Sequence, residues 1–317
     1  MNHASRRGLV RTAAVAVAGA GLLAGCDAAA DEPASGTETP TFVLVHGSAS
    51  NAFFWTPLVR HLALLGYRSL PVDLPGHGFE AALPDSYQAP QRLEEFAGAD
   101  SAVAATTLDD YADRVVELVR RAHEHGPVVL VGHSLGGSTL TRVANAVPEL
   151  IDRLVYVSAF CCAAVASPLE LLGLPEAEAD DGAATPAIDP TLPPEGVTRY
   201  NWRTAESEQL DGYRELAMHD KDREQLLTVV NYAQQPDQSV EPSLADARID
   251  PERWGGIPRV FVRLTLDRLV PPALADRMIA DADEAASEGA FEVHDIETTH
   301  LGVVYHAEEL ASILVGR

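Results

Sequence analysis

Short apolar runs rich in β-branched residues alternate along this chain with longer stretches in which apolar residues recur at helical spacing. The short runs predict strands at Thr41–His46, Tyr67–Val72, Val128–Val131, Leu154–Ser158, Val260–Leu264 and Phe291–Ile296. The longer stretches predict helices at Thr107–Glu124, Leu135–Val147, Pro272–Ala282 and Ala307–Val315. This alternation predicts an α/β fold, with a mostly parallel sheet flanked by crossover helices.

The alternation stops between Cys161 and about Gly256, where no apolar run has the character of a core strand. In its second half, Tyr200–Trp254, two patches have helical spacing, Glu208–Met218 and Asp222–Tyr232. An insertion of this kind predicts a folded cap over the carboxyl edge of the sheet, where open α/β sheets bind ligands. The stretch 171–196 is rich in Pro, Gly, Ala and acidic residues, and either a part of the cap or a disordered loop is consistent with it.

The first 40 residues do not have the composition of a fold. A basic head, "SRRGLVR", precedes the short apolar run Thr12–Ala24, which is too short for a stable membrane span. The head resembles a twin-arginine export signal, with the general secretory route as the alternative. The ending "LAGC" resembles a bacterial lipobox, which implies a diacylglycerol on Cys26, and an unprocessed N-terminal anchor is the other interpretation.

These boundaries divide the chain into five predicted parts. They are an export signal of the lipoprotein type (1–25), a flexible tether (26–40), the first part of the core (41–160), the cap insertion (161–256) and the second part of the core (257–317). We therefore expect an exported protein that is lipid-anchored to the outer face of a bacterial cytoplasmic membrane, or secreted.

The net charge of the chain argues against polyanionic partners. The chain carries 23 basic and 47 acidic residues, a net charge of −24. Without the three arginines of residues 1–25, 20 basic residues remain against 47 acidic ones, a net charge of −27. A chain so acidic repels nucleic acid and anionic lipid headgroups.

The segment "GPVVLVGHSLGGSTL", residues 126–140, carries the strongest chemical signal. A predicted strand ends in Gly-x-Ser-x-Gly, and a predicted helix follows. This context is typical of the nucleophile elbow of α/β-hydrolases, a strained turn that presents the serine hydroxyl at a helix N-terminus. We therefore predict that Ser134 is a catalytic nucleophile.

A serine nucleophile needs a base, and the base needs an acid that orients it. In this fold the chain order is serine, acid, histidine. Of the histidines that follow Ser134 in the second part of the core, His294 falls within the last predicted strand and His306 at the start of the last helix. His300 falls in the loop after that strand, so we predict it as the base. Asp267, which follows the preceding strand, is the predicted acid.

Stabilising an oxyanion requires two hydrogen-bond donors. The strand at 41–46 ends in His46-Gly47, and the next residue in this loop of the fold supplies a backbone N–H. We therefore predict the N–H groups of Ser48 and Leu135 as the donor pair, with His46 as a structural hydrogen-bonding residue. Aromatic residues near these loops and in the cap are consistent with either a substrate pocket or ordinary core packing; they are Phe53, Phe54, Trp55, Tyr200, Trp202 and Tyr213.

Residues 41–317 resemble the α/β-hydrolase superfamily throughout. More narrowly, "LVHGSASNAFFW", "VDLPGHG", "LVYVSAF" and "TTHLGVVYHAEELASIL" resemble the branch that contains plant methylesterases, hydroxynitrile lyases and bacterial esterases. The lyases of that branch lack the glycine of His-Gly and carry a lysine directly after the catalytic histidine. Here Gly47 is present, Leu301 follows His300, and the sole lysine, Lys221, is distant in the cap. Cyanohydrin cleavage is therefore disfavoured.

Together these features predict a serine hydrolase that cleaves a small or medium carboxylic ester, without a cofactor or metal. A lactonase or amidase with the same three residues is one alternative, and a non-catalytic small-molecule-binding lipoprotein is another. Of the three cysteines, Cys161 and Cys162 are adjacent. Either a strained disulfide or two buried thiols at the end of a strand is consistent with this spacing.

Overall fold

A computed structural model describes residues 39–178, 195–204 and 207–316 of this protein. The strands are β1 (Thr41–Val45), β2 (Arg68–Val72), β3 (Val128–His133), β4 (Arg153–Val157), β5 (Val197–Arg199), β6 (Asp237–Ser239), β7 (Arg259–Leu264) and β8 (Glu292–Ile296). The helices are α1 (Thr56–Leu64), α2 (Leu93–Gly98), α3 (Leu108–His123), α4 (Gly136–Ala146), α5 (Pro168–Leu172), α6 (Ser207–Ala217), α7 (Arg223–Ala233), α8 (Glu241–Leu244), α9 (Pro272–Ala285) and α10 (Ala307–Val315).

Six strands form one parallel sheet in the order β2-β1-β3-β4-β7-β8. Its central strands are buried on both sides, because successive residues face opposite layers of helices. In β1, Val43 packs in the layer that contains α3 and α4, whereas Leu44 packs in the layer that contains α1 and α10. The predicted α/β-hydrolase fold, a mostly parallel sheet flanked by helices, is confirmed.

The register of the sheet aligns the carboxyl ends of its strands. Val45 pairs with Gly132, His133 pairs with Val157, and Leu264 pairs with Ile296. The loops that follow β1, β3, β4, β7 and β8 therefore begin at one common edge. That edge is where the sequence places every residue predicted to act in chemistry.

The predicted core elements agree with the observed ones to within one to three residues. The largest difference on the strands is at β3, which continues two residues beyond the predicted end because His133 still pairs with β4. The helices α1 and α2 were not predicted. Both are short, nine and six residues, and bury few side chains, such as Leu58 and Leu62 in α1, so each offers few positions from which a helical period can be recognised.

Residues 161–256 contribute no strand to the main sheet among the described parts of the chain. They contain α5 to α8 and a separate two-stranded antiparallel sheet of β5 and β6, which sequence reasoning missed because each strand has three residues. The helical patches predicted at 208–218 and 222–232 correspond to α6 and α7. Most of the stretch 171–196, together with the export signal, the tether up to residue 38 and Cys26, lies outside the described residues.

Cys161 and Cys162 are both buried and both free thiols, so the alternative of a disulfide between them is not realised. Burial raises the pKa of the Cys162 thiol to about 12, which keeps it protonated and inert near neutral pH. Of the helices in the described ranges, none has both the length and the apolar character needed to cross a membrane.

Candidate active site

Ser134 lies at the reversal between β3 and α4. Its backbone φ is +54°, in the left-handed region that a residue with a Cβ rarely adopts. Glycines make this turn possible, because a Cβ on Gly136 would lie 2.6 Å from the carbonyl oxygen of His46, and one on Gly137 would lie 2.2 Å from that of Phe160. The turn therefore has the geometry predicted for a nucleophile elbow.

Asp267 and His300 meet at the same edge of the sheet, after β7 and β8. His300 Nδ1 lies 2.6 Å from Asp267 Oδ2, and both side chains are buried. Asp267 Oδ1 accepts hydrogen bonds from the backbone N–H groups of Leu269 at 2.8 Å and Val270 at 3.0 Å. The carboxylate therefore holds a proton on Nδ1 of His300 and leaves Nε2 free to accept one.

Ser158 is a contact of this pair that sequence reasoning missed. It follows β4, is buried, has a φ of +41°, and donates a hydrogen bond from Oγ to Asp267 Oδ2 at 2.6 Å. The same carboxylate oxygen thus accepts from both Ser158 and His300. The signal available in the sequence was the position itself, the residue directly after a strand at the active edge.

The loop that carries His300 is fixed from two sides. His133 Nε2 lies 3.1 Å from the carbonyl oxygen of His300. Burial, with a further contribution from neighbouring His300, lowers the pKa of His133 well below its usual value, so this ring is neutral and donates from Nε2. On the other side, Asp220 of the cap accepts hydrogen bonds from the hydroxyls of Thr298 at 2.7 Å and Thr299 at 2.5 Å.

The loop after β1 passes directly over Ser134. A Cβ on Gly47 would lie 2.7 Å from the Cβ of Ser134, so glycine is required for this approach. Ser48 and Leu135 line the same cavity as Ser134, and neither of their backbone N–H groups donates a hydrogen bond to another described residue. Two free donors beside the serine are what an oxyanion site requires.

His46 controls the direction of one of these donors. The N–H of Leu74 donates to His46 Nε2 at 3.2 Å, so the ring proton is on Nδ1, which donates to the carbonyl oxygen of Gly47 at 2.9 Å. That carbonyl and the N–H of Ser48 belong to one planar trans peptide and point in opposite directions. Anchoring the carbonyl therefore orients the Ser48 N–H.

A cavity of about 390 Å³ adjoins these groups. Its walls are mainly apolar and aromatic, and the residues that line it besides the loops above include Phe54, Phe160, Leu172, Tyr200, Trp202, Tyr213 and Leu216. Ser134 and His300 both face it, although within the described residues no hydrogen bond joins Ser134 Oγ to His300 Nε2. Such bonds are often long in the absence of substrate.

Two predicted pocket residues do not line this cavity. Phe53 is 48% exposed and faces outward beside Phe79, whereas Trp55 is buried in the core. The reason is local: residues Ala52–Trp55 form a 3₁₀ helix, whose tight turn directs consecutive side chains apart. Of these three aromatic residues, Phe54 alone reaches the cavity, where it stacks on His133 at 4.6 Å between ring centres.

Comparison with known proteins agrees with this fold. The model described as the alpha/beta hydrolase family matches residues 42–313, and this chain belongs to that family. Similar curated proteins include polyneuridine aldehyde esterase of Rauvolfia serpentina, 32% identical over 118 residues that make up 37% of this chain and 38% of that protein. Another is the alpha-hydroxynitrile lyase of Arabidopsis thaliana, 29% identical over 38% of this chain and 39% of that protein. The match thus spans well under half the length of either relative.

Solved structures extend the similarity over most of the fold. A pyrethroid hydrolase from Sphingobium faniae JZ-2 superposes with a TM-score of 0.62 at 21% identity, over 88% of this chain and 96% of that one. An extracellular alpha/beta-hydrolase from a Paenibacillus species gives 0.61 at 20% identity, over 87% and 98%. At these identities the similarity of the solved structures establishes the fold alone. The predicted resemblance to the branch with plant methylesterases and hydroxynitrile lyases is confirmed by the curated relatives.

The contact of Ser158 with Asp267 generates a first prediction. Ser158→Ala removes a hydrogen bond to a buried carboxylate. We expect Ser134 to react about ten- to a hundredfold more slowly with a fluorophosphonate, because a bond of this kind contributes about 1.5–3 kcal/mol and about 1.4 kcal/mol is one factor of ten. Ser138→Ala is the matched control, since Ser138 is also buried and its hydroxyl has no hydrogen-bond partner among the described residues. Equal rates for both variants would show that Ser158 does not support the pair.

The buried state of His46 generates a second prediction. Burial, together with the neighbouring His77, lowers the pKa of His46 from 6.5 to about 3. Between these values the unfolded chain binds a proton that the folded one does not, so stability falls as the pH falls. At pH 5 the loss relative to pH 7 amounts to about 2 kcal/mol from this group.

We expect His46→Gln to reduce the loss of unfolding free energy between pH 7 and pH 5 by about that amount, measured by urea denaturation. The comparison concerns the slope with pH, because the substitution also lowers stability at every pH. His125→Gln, at a solvent-exposed position, is the control and should keep the wild-type slope. A His46→Gln slope equal to the wild-type slope would contradict a neutral, buried His46.

Proposed function

We propose that this protein is a serine hydrolase that cleaves small or medium carboxylic esters through an acyl-enzyme. The observation that carries the proposal is the convergence of three groups on one apolar cavity. They are a serine in a strained turn, a buried histidine 2.6 Å from a buried carboxylate, and two backbone N–H groups that have no hydrogen-bond partner among the described residues.

Each group has a definite role in this reaction. Ser134 Oγ attacks the ester carbonyl while His300 Nε2 takes its proton, and Asp267 stabilises the imidazolium that forms. The N–H groups of Ser48 and Leu135 bind the oxyanion of the tetrahedral intermediate. His300 then protonates the departing alcohol, and water, activated by the same histidine, hydrolyses the acyl-enzyme.

Several features favour an ester over the lyase reaction. The residue after His300 is the buried Leu301, and Lys221 is bound to Asp220 at 2.9 Å, so neither supplies a cation to the cavity. The curated relatives described above are named an esterase and a hydroxynitrile lyase at similar identity, so the choice between the two reactions rests on these residues. The lining of the cavity, with no acidic or basic side chain other than histidine among its described residues, suits an uncharged substrate.

We also propose that the protein is exported and anchored by a lipid on Cys26, on the outer face of the cytoplasmic membrane, or released from there. This proposal is supported by the sequence of residues 1–26: the basic head, the short apolar run and the lipobox-like ending. The segment between Cys26 and β1 would then serve as a tether.

The third prediction tests the reaction. Ser134→Ala should abolish both fluorophosphonate labelling and ester turnover, because no nucleophile remains. Asp267→Asn should keep the fold and reduce turnover by about 10⁴, since an amide holds the wrong tautomer of His300. Nitrophenyl esters of increasing acyl length, matched lactones and matched amides should show turnover, highest for the esters.

Two outcomes would contradict the proposal. A folded wild type that neither reacts with the probe nor turns over any of these esters would favour a binding protein. Lactone or amide turnover far above that of the esters would assign the same three residues to a different bond.

The fourth prediction tests the anchor. Cys26→Ala should prevent lipid attachment, so metabolic labelling with a tagged fatty acid should mark the wild type but not the variant, and the wild type should sediment with membranes. Cys162→Ala, at a buried thiol, is the control and should be labelled like the wild type. An unlabelled wild type, cleaved elsewhere and released in soluble form, would contradict a lipid on Cys26.

A further inference from the structure

The loop that carries the Ser48 N–H contains a strained residue of its own, Ala49. Ala49 has a φ of +47°, in the left-handed region, and is buried. A non-glycine residue in this conformation is strained and persists only where neighbouring groups hold it. Ala49 is therefore a position at which something outside the loop must fix the backbone.

The groups that hold Ala49 come from the cap. Its N–H donates to the side-chain oxygen Oε1 of Gln238 at 2.7 Å, a contact between residues 189 positions apart. Its carbonyl oxygen accepts a hydrogen bond from the backbone N–H of Gln235 at 2.8 Å. Both polar backbone groups of the strained residue are thus bound by the segment around β6.

The side chain of Gln238 is itself held in one orientation. It is buried, and its Nε2 donates to the hydroxyl of Tyr111 at 3.2 Å and to the carbonyl oxygen of Ser239 at 3.0 Å. Its Oε1 also lies 3.3 Å from His77 Nε2. Because both Oε1 and Nε2 are hydrogen-bonded, the amide cannot rotate without leaving buried polar groups unpaired. Oε1 is therefore held in a fixed position as an acceptor.

Successive peptide planes of the loop are then anchored in turn. His46 holds the carbonyl of Gly47, and Gln238 holds the N–H of Ala49. The Ser48 N–H lies on the first of these planes, and Ser48 is the residue that joins the first plane to the second. One hydrogen bond to the Gly47 carbonyl fixes a single point of the first plane and still allows the plane to rotate about that contact. The anchor on the second plane restricts this rotation through Ser48, so its loss would let the Ser48 N–H turn away from the position of the oxyanion.

We propose that Gln238 is a positioning residue for catalysis, which acts from the cap to hold the Ser48 N–H in its oxyanion-binding direction. The proposal rests on the proposed hydrolase function. Gln238 does not line the cavity that Ser134 faces, so it acts on the reaction through the loop and not through the substrate. Its effect therefore belongs to the transition state and not to substrate binding.

The test compares Gln238→Met with Gln235→Met. Gln235 is a matched control, because it is similarly buried in the same segment, while its side chain bonds the backbone of Gly76, Gly78 and Asp237 and not the loop of Ser48. The substitution of Gln235 keeps its backbone N–H, and with it the bond to the carbonyl of Ala49. Each variant loses one buried amide, so the two should lose stability to a similar extent.

We expect Gln238→Met to lower kcat for the best ester by about tenfold or more, with KM within about threefold of the wild type, since loss of a whole donor costs about 10²–10³. Gln235→Met should keep kcat within about threefold. Hydrogen exchange gives a readout that does not need activity: the amide of Ala49 should exchange at least about tenfold faster in Gln238→Met and at the wild-type rate in Gln235→Met.

If either methionine variant fails to fold, the pair Gln238→Asn and Gln235→Asn replaces it, because asparagine keeps the amide but is one methylene too short to reach Ala49. An unchanged kcat in the Gln238 variant, or an equal loss of kcat in both variants, would overturn the proposal. A wild type without ester turnover would overturn the proposed function as well, whereas an active wild type with an unaffected Gln238 variant would overturn this proposal alone.

Discussion

The site depends on one steric constraint, the reversal of the chain at Ser134. A left-handed serine between β3 and α4 brings the start of the helix against the ends of two neighbouring strands. That approach leaves no room for a Cβ at Gly47, Gly136 or Gly137, where the nearest atoms would lie 2.7, 2.6 and 2.2 Å away. The same crowding that strains the serine thus brings the loop after β1 within reach of it, so the proposed nucleophile and its proposed hydrogen-bond donors are positioned by a single packing arrangement.

Around this turn, two histidines and a carboxylate are buried in protonation states that their hydrogen bonds define. His46 and His133 are neutral because burial opposes their protonation, and each therefore has one donor and one acceptor nitrogen with a fixed assignment. Asp267 is buried as well, and hydrogen bonds to both of its oxygens compensate its loss of water. Each of these side chains would be costly to bury without its hydrogen-bond partners, and the same hydrogen bonds fix its orientation in the site.

Some of this could be predicted from the sequence and some could not, for physical reasons. Ser134 has a local signal, a glycine pattern between a strand and a helix, and Asp267 and His300 follow from chain order and strand ends. For Ser158 the only signal is its position after a strand, which many residues share, because neither its left-handed backbone nor its contact with Asp267 is visible in the sequence. The pocket was predicted less well, since the directions of Phe53 and Trp55 depend on a 3₁₀ turn that has no distinctive pattern.

The cap is hydrogen-bonded to two loops of the candidate active site, the loop that carries His300 and the loop that carries Ser48. Asp220 bonds the threonines that precede His300, and Gln238 bonds the loop that carries Ser48. A cap with these attachments is not an interchangeable module, although its elements lie outside the main sheet. Transplanting the cap of a relative to alter substrate preference would also exchange the groups that support the loops of His300 and Ser48, the proposed base and the proposed oxyanion donor. A cap grafted onto this scaffold would therefore need to carry those two side chains with it.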